Sequence, residues 1–144
     1  MSEQRPTNDD RGPAESVPQR VVHEHRRLHD LVVDARSALK ESGDAHRAVE
    51  ELSDATEAHF LREETLYYPT LWALRGELEG PLGRLISAHD GFRARLREIL
   101  RAQAGGDHRS AIEQLEIFVE LMGEHETDEE RVLASLAPGR DSAL

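Results

Sequence analysis

The stretch AHFLREETLYYP at residues 58–69 and the stretch EHETDEERVL at residues 124–133 each carry a histidine followed four residues later by a glutamate. His59 is paired in this way with Glu63, and His125 with Glu129. Residues four positions apart share one face of an α-helix, so each pair can direct a nitrogen and an oxygen to the same point. Both pairs interrupt a run of apolar residues with helical spacing, and this combination decides the fold.

Apolar residues recur at steps of three and four along the chain, which predicts amphipathic helices with a buried seam. The seam around the first pair comprises Val49, Leu52, Thr56, His59, Glu63, Leu66 and Thr70. The seam around the second pair comprises Ala111, Leu115, Phe118, Met122, His125, Glu129, Val132 and Leu136. A further seam comprises Leu82, Leu85, His89, Phe92, Leu96 and Ile99, and another comprises Val21, His25, Leu28, Val32, Ala35 and Leu39. Each predicted helix therefore brings a histidine to its buried face.

Capping and turn residues place the limits of four helices. Ser16, followed by Gln19 three residues later, has the pattern of a capping box and predicts the start of the first helix. Asp44 and Asp107 are predicted caps of the second and fourth helices, and Pro69 should bend the second. The predicted helices span about residues 16–42, 44–75, 81–104 and 107–136.

The architecture predicted from these elements is all-α, because no segment shows the sustained alternation of a strand. Short turns between four helices favour an antiparallel up-down-up-down four-helix bundle. We expect the bundle to occupy residues 16–138, with a disordered N-terminal tail at residues 1–15 and a short C-terminal tail at residues 139–144.

Composition restricts the function. The 144 residues include no cysteine, which excludes thiolate metal sites and cysteine nucleophiles. The formal charge of −11 argues against a nucleic-acid partner, since the 18 basic residues are dispersed among 29 acidic ones. No apolar run is long enough to span a membrane and no signal peptide is evident, so we expect a cytoplasmic monomer or homodimer.

The six polar seam residues are predicted to meet. Counted from shared helix ends, His25, His59, Glu63, His89, His125 and Glu129 fall in one slab roughly 10 Å thick. Burying these groups without compensation would cost several kcal/mol per ion, and a metal supplies the compensation. About six ligands of mixed imidazole and carboxylate type suit two metal ions better than one.

These motifs, together with EHRRLHDL at residues 24–31 and SAHDGFRARL at residues 87–96, resemble the hemerythrin-like (HHE cation-binding) family over nearly all of residues 18–138. The resemblance implies two non-haem iron ions joined by an oxo or hydroxo bridge, with Glu63 and Glu129 as carboxylate bridges and the histidines as terminal ligands. It also implies that the partner is a small oxidant, namely O2, H2O2 or NO.

One residue departs from the oxygen-carrying members of that family. They place a second histidine one turn along the third helix, where this chain has Arg93, which cannot act as a ligand. The departure favours redox reactivity, including peroxidase- or catalase-like turnover, over simple O2 carriage. His29 and Tyr67 are additional candidates for ligation or for hydrogen bonding at the site. No separate catalytic acid or nucleophile is evident.

Other functions remain as alternatives. An iron- or oxygen-sensing regulatory module without catalysis would use the same ligands, although sensors usually carry an output domain. A ferritin-like oxidase would need glutamate three residues before a histidine, and no histidine of this chain has one. A zinc protease is disfavoured because no HExxH motif is present. A metal-free interaction bundle would have to explain six buried polar residues at one level.

Overall fold

The computed structural model describes residues 13–41 and 44–136. The helical elements in chain order are α1 (Pro13–Lys40), α2 (Ala45–Arg62), a π-helical turn (Glu63–Tyr67), α3 (Tyr68–Leu74), a 3-10 turn (Gly76–Leu78), α4 (Glu79–Ala104) and α5 (His108–Ala134). Because α2, the π-helical turn and α3 follow one another without a break, the described residues form four long helical segments. The described part of the chain contains no strand, so the predicted all-α class is confirmed.

The start of α1 differs from the prediction. The helix begins at Pro13, and Ser16 lies inside it with a buried side chain, so Ser16 does not cap the helix. Proline is favoured at the first helical position, and burial of Val17 gives the added turn an apolar contact. The rest of the predicted N-terminal tail, residues 1–12, lies outside the described residues, as does the predicted C-terminal tail at residues 139–144.

Both predicted aspartate caps are confirmed. The Asp44 carboxylate accepts a hydrogen bond from the backbone N–H of Arg47 at 3.2 Å. The Asp107 carboxylate accepts one from the backbone N–H of Ser110 at 3.1 Å. Each bond satisfies one of the N–H groups that the first turn of a helix leaves without a partner.

The π-helical turn changes which residues of the second segment face the core. The backbone N–H of Tyr68 donates to the carbonyl of Glu63, five residues back. Leu66 is 47% exposed, whereas Tyr67 and Tyr68 are buried, so the predicted continuation of the seam through Leu66 and Thr70 is wrong. Pro69 gives a physical reason: its ring would clash with a carbonyl of the preceding regular turn, and the wider turn relieves the clash.

The polar seam residues form a layer between two apolar clusters. Helix α1 packs on α2 and α5, and α4 packs on the same two helices. One cluster contains Leu52, Phe92 and Phe118, and the other contains Val21, Leu82 and Leu133. All six residues of the predicted α4 seam are buried. Along α1, α4 and α5 the polar ligand candidates lie between the residues of one cluster and those of the other. On the second segment, Phe60 of the first cluster lies between His59 and Glu63, and Tyr67 of the other cluster follows.

None of the helices in the described ranges has the length and apolar character needed to cross a membrane.

Candidate metal centre

The structure brings all six predicted ligands together in the polar layer. His25, His59, Glu63 and Glu129 form a first group, and Glu63, His89 and His125 form a second group. Within each group, the possible ligand atoms lie within 4.8 Å of one another. His125 is the most exposed of the six at 7%, and Glu63 belongs to both groups. Each group could hold a metal ion.

Five buried atoms of these groups lack a hydrogen-bond partner, namely His25 Nδ1, Glu63 Oε1 and Oε2, His89 Nε2 and His125 Nε2. His59 Nε2 lies 3.0 Å from Glu63 Oε2, and His89 Nε2 lies 3.1 Å from Glu63 Oε1. In both pairs the nitrogen and the oxygen are close together, but their angles do not meet the requirements of a hydrogen bond. Leaving a buried polar atom without a partner costs about 1–3 kcal/mol, so the four such atoms of Glu63, His89 and His125, which form the second group, indicate a missing partner. Imidazole nitrogen and carboxylate oxygen fit a cation of the iron, manganese or zinc type.

A carboxylate of α1 contacts the outer nitrogen of His59. His59 Nδ1 lies 2.6 Å from Glu24 Oε1, and Glu24 Oε2 accepts hydrogen bonds from Arg62 Nε at 2.8 Å and from the Tyr67 hydroxyl at 2.5 Å. Burial raises the pKa of Glu24, but the hydrogen bonds from His59, Tyr67 and Arg62 outweigh it, so the pKa lies below its usual value. Glu24 is therefore ionised beside the imidazole.

A matching arrangement surrounds His89. His89 Nδ1 lies 2.6 Å from Glu64 Oε2, and Arg93 Nη2 donates to the same oxygen at 3.0 Å. The Phe60 ring stacks on His89 with 3.8 Å between centroids, and the Arg93 guanidinium lies 5.4 Å from the centre of the Phe60 ring. Arg93 belongs to neither group, and it supports the carboxylate behind one of the candidate ligands.

Of the two additional candidates, His29 belongs to neither group. Tyr67 contacts Glu24, the carboxylate beside His59. The His29 side chain is 65% exposed, and His29 Nε2 lies 2.9 Å from Oε1 of the buried Glu126. His29 lines a cavity of about 540 Å³ between α1 and α5, which Met122 and Glu126 also line, and Tyr67 lines a separate cavity.

Sequence reasoning missed Tyr68. Its hydroxyl donates to Glu129 Oε2 at 2.5 Å, and its side chain is fully buried. Burial and the charges of Glu129 and Glu63 raise the pKa of the Tyr68 hydroxyl, so the phenol keeps its proton and acts as a donor. Regular helical spacing gave no reason to choose Tyr68, because the π-helical turn rotates it into the layer. The tyrosine pair before Pro69 was the available signal.

Charge is unevenly distributed among the ligand candidates. Burial opposes charge on His59, but the hydrogen bond to Glu24 and the negative charge of Glu63 outweigh it and raise the pKa to about 10. Burial and the neighbouring His89 lower the pKa of His125 to about 4. Burial and the adjacent Glu63 raise the pKa of Glu129 to about 8. Without a cation, the layer therefore contains a charged and a neutral imidazole and a carboxyl that resists ionisation.

The comparison with known families agrees with this chemistry. The sequence profile of the Hemerythrin HHE cation binding domain matches residues 17–137, which include all six ligand candidates. No curated protein and no solved structure matches the chain. The match spans most of the 144 residues. The chain therefore belongs to the family of Hemerythrin HHE cation binding domains.

Proposed function

We propose that the chain binds two non-haem iron ions and uses them to bind or reduce a small oxidant, namely O2, peroxide or NO. The first ion would be held by His25, His59, Glu63 and Glu129, and the second by Glu63, His89 and His125. Glu63 belongs to both groups and would be shared by the two ions. The observation that carries the proposal is the set of four buried ligand atoms of Glu63, His89 and His125 that lack hydrogen-bond partners in a layer between two apolar clusters.

The proposed scaffold is an antiparallel up-down-up-down bundle, and residue pairs between neighbouring segments support it. Between α1 and α5, His25 contacts Glu129 whereas Arg36 contacts Glu116, so rising numbers in one helix meet falling numbers in the other. The same order holds between the second segment and α4, where His46 contacts Gln103, Glu57 contacts Arg93 and Glu64 contacts His89. This arrangement places one ligand-bearing turn of each segment at the same level.

The protein residues would control the environment of the centre. When bound, iron supplies electrons for reduction and a coordination position for a small molecule. The ring centroids of Phe60 and Phe92 lie within 6.5 Å of the His125 ring centroid, and these rings would exclude water from that side of the centre. The Tyr68 hydroxyl holds Glu129 through a hydrogen bond, and Glu24 and Glu64 hold the outer nitrogens of His59 and His89.

The proposal is tested by mixing the protein, loaded with ferrous iron under anaerobic conditions, separately with O2, peroxide and NO while recording the visible spectrum. We expect a spectral change with at least one oxidant. His89→Ala should abolish the change, and the matched control His46→Ala should not, because the His46 side chain is 56% exposed and lies outside both groups. Iron binding with no response to any oxidant would contradict the redox proposal and favour a regulatory metal-binding module.

A further inference from the structure

Two carboxylates outside the candidate ligand set contact the Nδ1 atoms of His59 and His89. Glu24 Oε1 lies 2.6 Å from His59 Nδ1, and Glu64 Oε2 lies 2.6 Å from His89 Nδ1. Glu24 precedes His25 on α1, and Glu64 follows Glu63 in the π-helical turn. Each carboxylate therefore belongs to a residue adjacent in sequence to a candidate ligand, yet neither residue is a member of a metal-binding group.

Each carboxylate is itself held in place. Arg62 and Tyr67 both donate to Glu24 Oε2. Arg93 donates to both oxygens of Glu64, at 3.2 Å and 3.0 Å, and its side chain is only 20% exposed. Metal binding needs the neutral imidazole, and in that form a hydrogen bond from Nδ1–H to a fixed carboxylate selects the tautomer whose Nε2 lone pair is free for a metal.

His25 has weaker support than His59 and His89. His25 Nδ1 lies 3.4 Å from Glu130 Oε2, and that carboxylate is 54% exposed. The second group has three possible ligands, and among its histidines His89 contacts a fixed carboxylate through Nδ1. The first group has four possible ligands, and among its histidines His59 has such a contact. More ligands should make the first group the tighter metal site.

We propose that Glu24 and Glu64 are positioning residues for different metal ions, with Glu24 acting through His59 on the first and Glu64 acting through His89 on the second. Arg93 acts one step further out by fixing Glu64. The inference rests on the proposed two-metal centre. It requires that metal binds in two steps, the first group being filled before the second.

The test is a calorimetric titration of the metal-free protein with Fe²⁺ under anaerobic conditions. Wild type should show two resolved steps. Glu24→Ala should weaken the tighter step and Glu64→Ala the weaker step, each by roughly 10–100-fold, the usual effect of removing such a partner of a ligating histidine. Glu24→Gln and Glu64→Gln retain an acceptor oxygen and should recover part of the loss, and they decide the outcome if an alanine variant does not fold.

Glu57→Ala is the matched control. Glu57 accepts a hydrogen bond from Arg93 Nε at 2.6 Å, as Glu64 does from the same guanidinium, but Glu57 belongs to neither metal-binding group. Both steps should keep their wild-type affinity in this variant. If Glu57→Ala weakened the second step as strongly as Glu64→Ala, the effect would belong to Arg93 packing and the assigned role of Glu64 would be wrong.

A second measurement separates positioning from general stability. Nitrogen-15 chemical shifts of the imidazoles in the metal-free protein report which nitrogen carries the proton. We expect Nδ1 of His89 to carry a proton in wild type, and Glu64→Ala should shift the distribution toward both tautomers. Unchanged shifts together with unchanged affinities would overturn the inference. If wild type binds no metal, the proposed function fails, whereas two steps that neither variant alters would refute only the roles of Glu24 and Glu64.

Discussion

The replacement His125→Leu should stabilise the metal-free protein. His125 is packed among rings, with its centroid 5.1 Å from Phe92 and 5.4 Å from His89, and its Nε2 atom is buried without a hydrogen-bond partner. Leucine has a similar volume and no polar atom, so the variant removes a group whose burial costs about 1–3 kcal/mol. At roughly 3 °C per kcal/mol for a chain of this size, the Tm should rise by several degrees.

The stabilisation should grow in acid. The pKa of His125 is lowered to about 4 from an ordinary value of 6.5, because burial and the neighbouring His89 disfavour the charged form. The unfolded chain binds this proton below pH 6.5, whereas the folded chain does not until about pH 4. Folded wild type therefore loses stability as the pH falls through this range, by about 3 kcal/mol at 1.36 kcal/mol per pH unit. Leucine has no such loss.

The assay is thermal unfolding with and without metal. In the presence of a chelator His125→Leu should have a higher Tm than wild type at pH 7, and the difference should widen at pH 5. In the presence of iron the order should reverse, because the variant lacks a ligand of the second group. The exposed control His46→Leu should stay within about 0.5 kcal/mol of wild type in both conditions. A metal-free His125→Leu protein that is less stable than wild type, with no dependence on pH, would refute the reasoning.

Three further predictions follow from individual contacts. Tyr68→Phe removes the hydrogen bond to Glu129 and should lower the free energy of unfolding of the metal-free protein by about 1–3 kcal/mol in urea denaturation at pH 9, where the carboxylate is ionised. Contacts that outweigh burial raise the pKa of His59 to about 10, so protonated His59 stabilises the fold fully below pH 6.5 and loses this contribution as the pH rises through about 10. In urea titrations, the difference in the free energy of unfolding between wild type and Glu24→Gln should therefore close in that range. Asp107→Ala removes the cap of α5 and should cost about 1 kcal/mol in the same assay without changing metal stoichiometry.

Local patterns predicted much of the fold. Asp44 and Asp107 cap helices as expected, because a cap depends on a side chain and a backbone group only a few residues apart. The α4 seam was predicted in full because that helix is regular from end to end. His59 and Glu63 belong to one metal-binding group as predicted, since one helical turn fixes their common face, whereas His125 and Glu129 belong to different groups.

The predictions that were wrong or missing have physical causes that hydrophobic periodicity cannot reveal. A π-helical turn adds a residue to one turn, so the predicted seam failed after Glu63 and Tyr68 was missed. Glu24 and Glu64 are polar residues beside candidate ligands, and nothing in their own helix distinguishes them from solvent-exposed glutamates. The role of Glu24 depends on its contact with His59 of α2, and the role of Glu64 depends on its contact with Arg93 of α4. Such contacts follow from tertiary packing alone.

The central claim is most directly tested by the iron content per chain of wild-type protein purified from iron-supplemented cells and dialysed against metal-free buffer. The proposed centre predicts about two irons per chain, reduced to at most one in His125→Leu and unchanged in His46→Leu. Wild-type protein that retained no iron, or a His125→Leu protein that retained the full wild-type amount, would contradict the assignment of the two groups as a two-metal site.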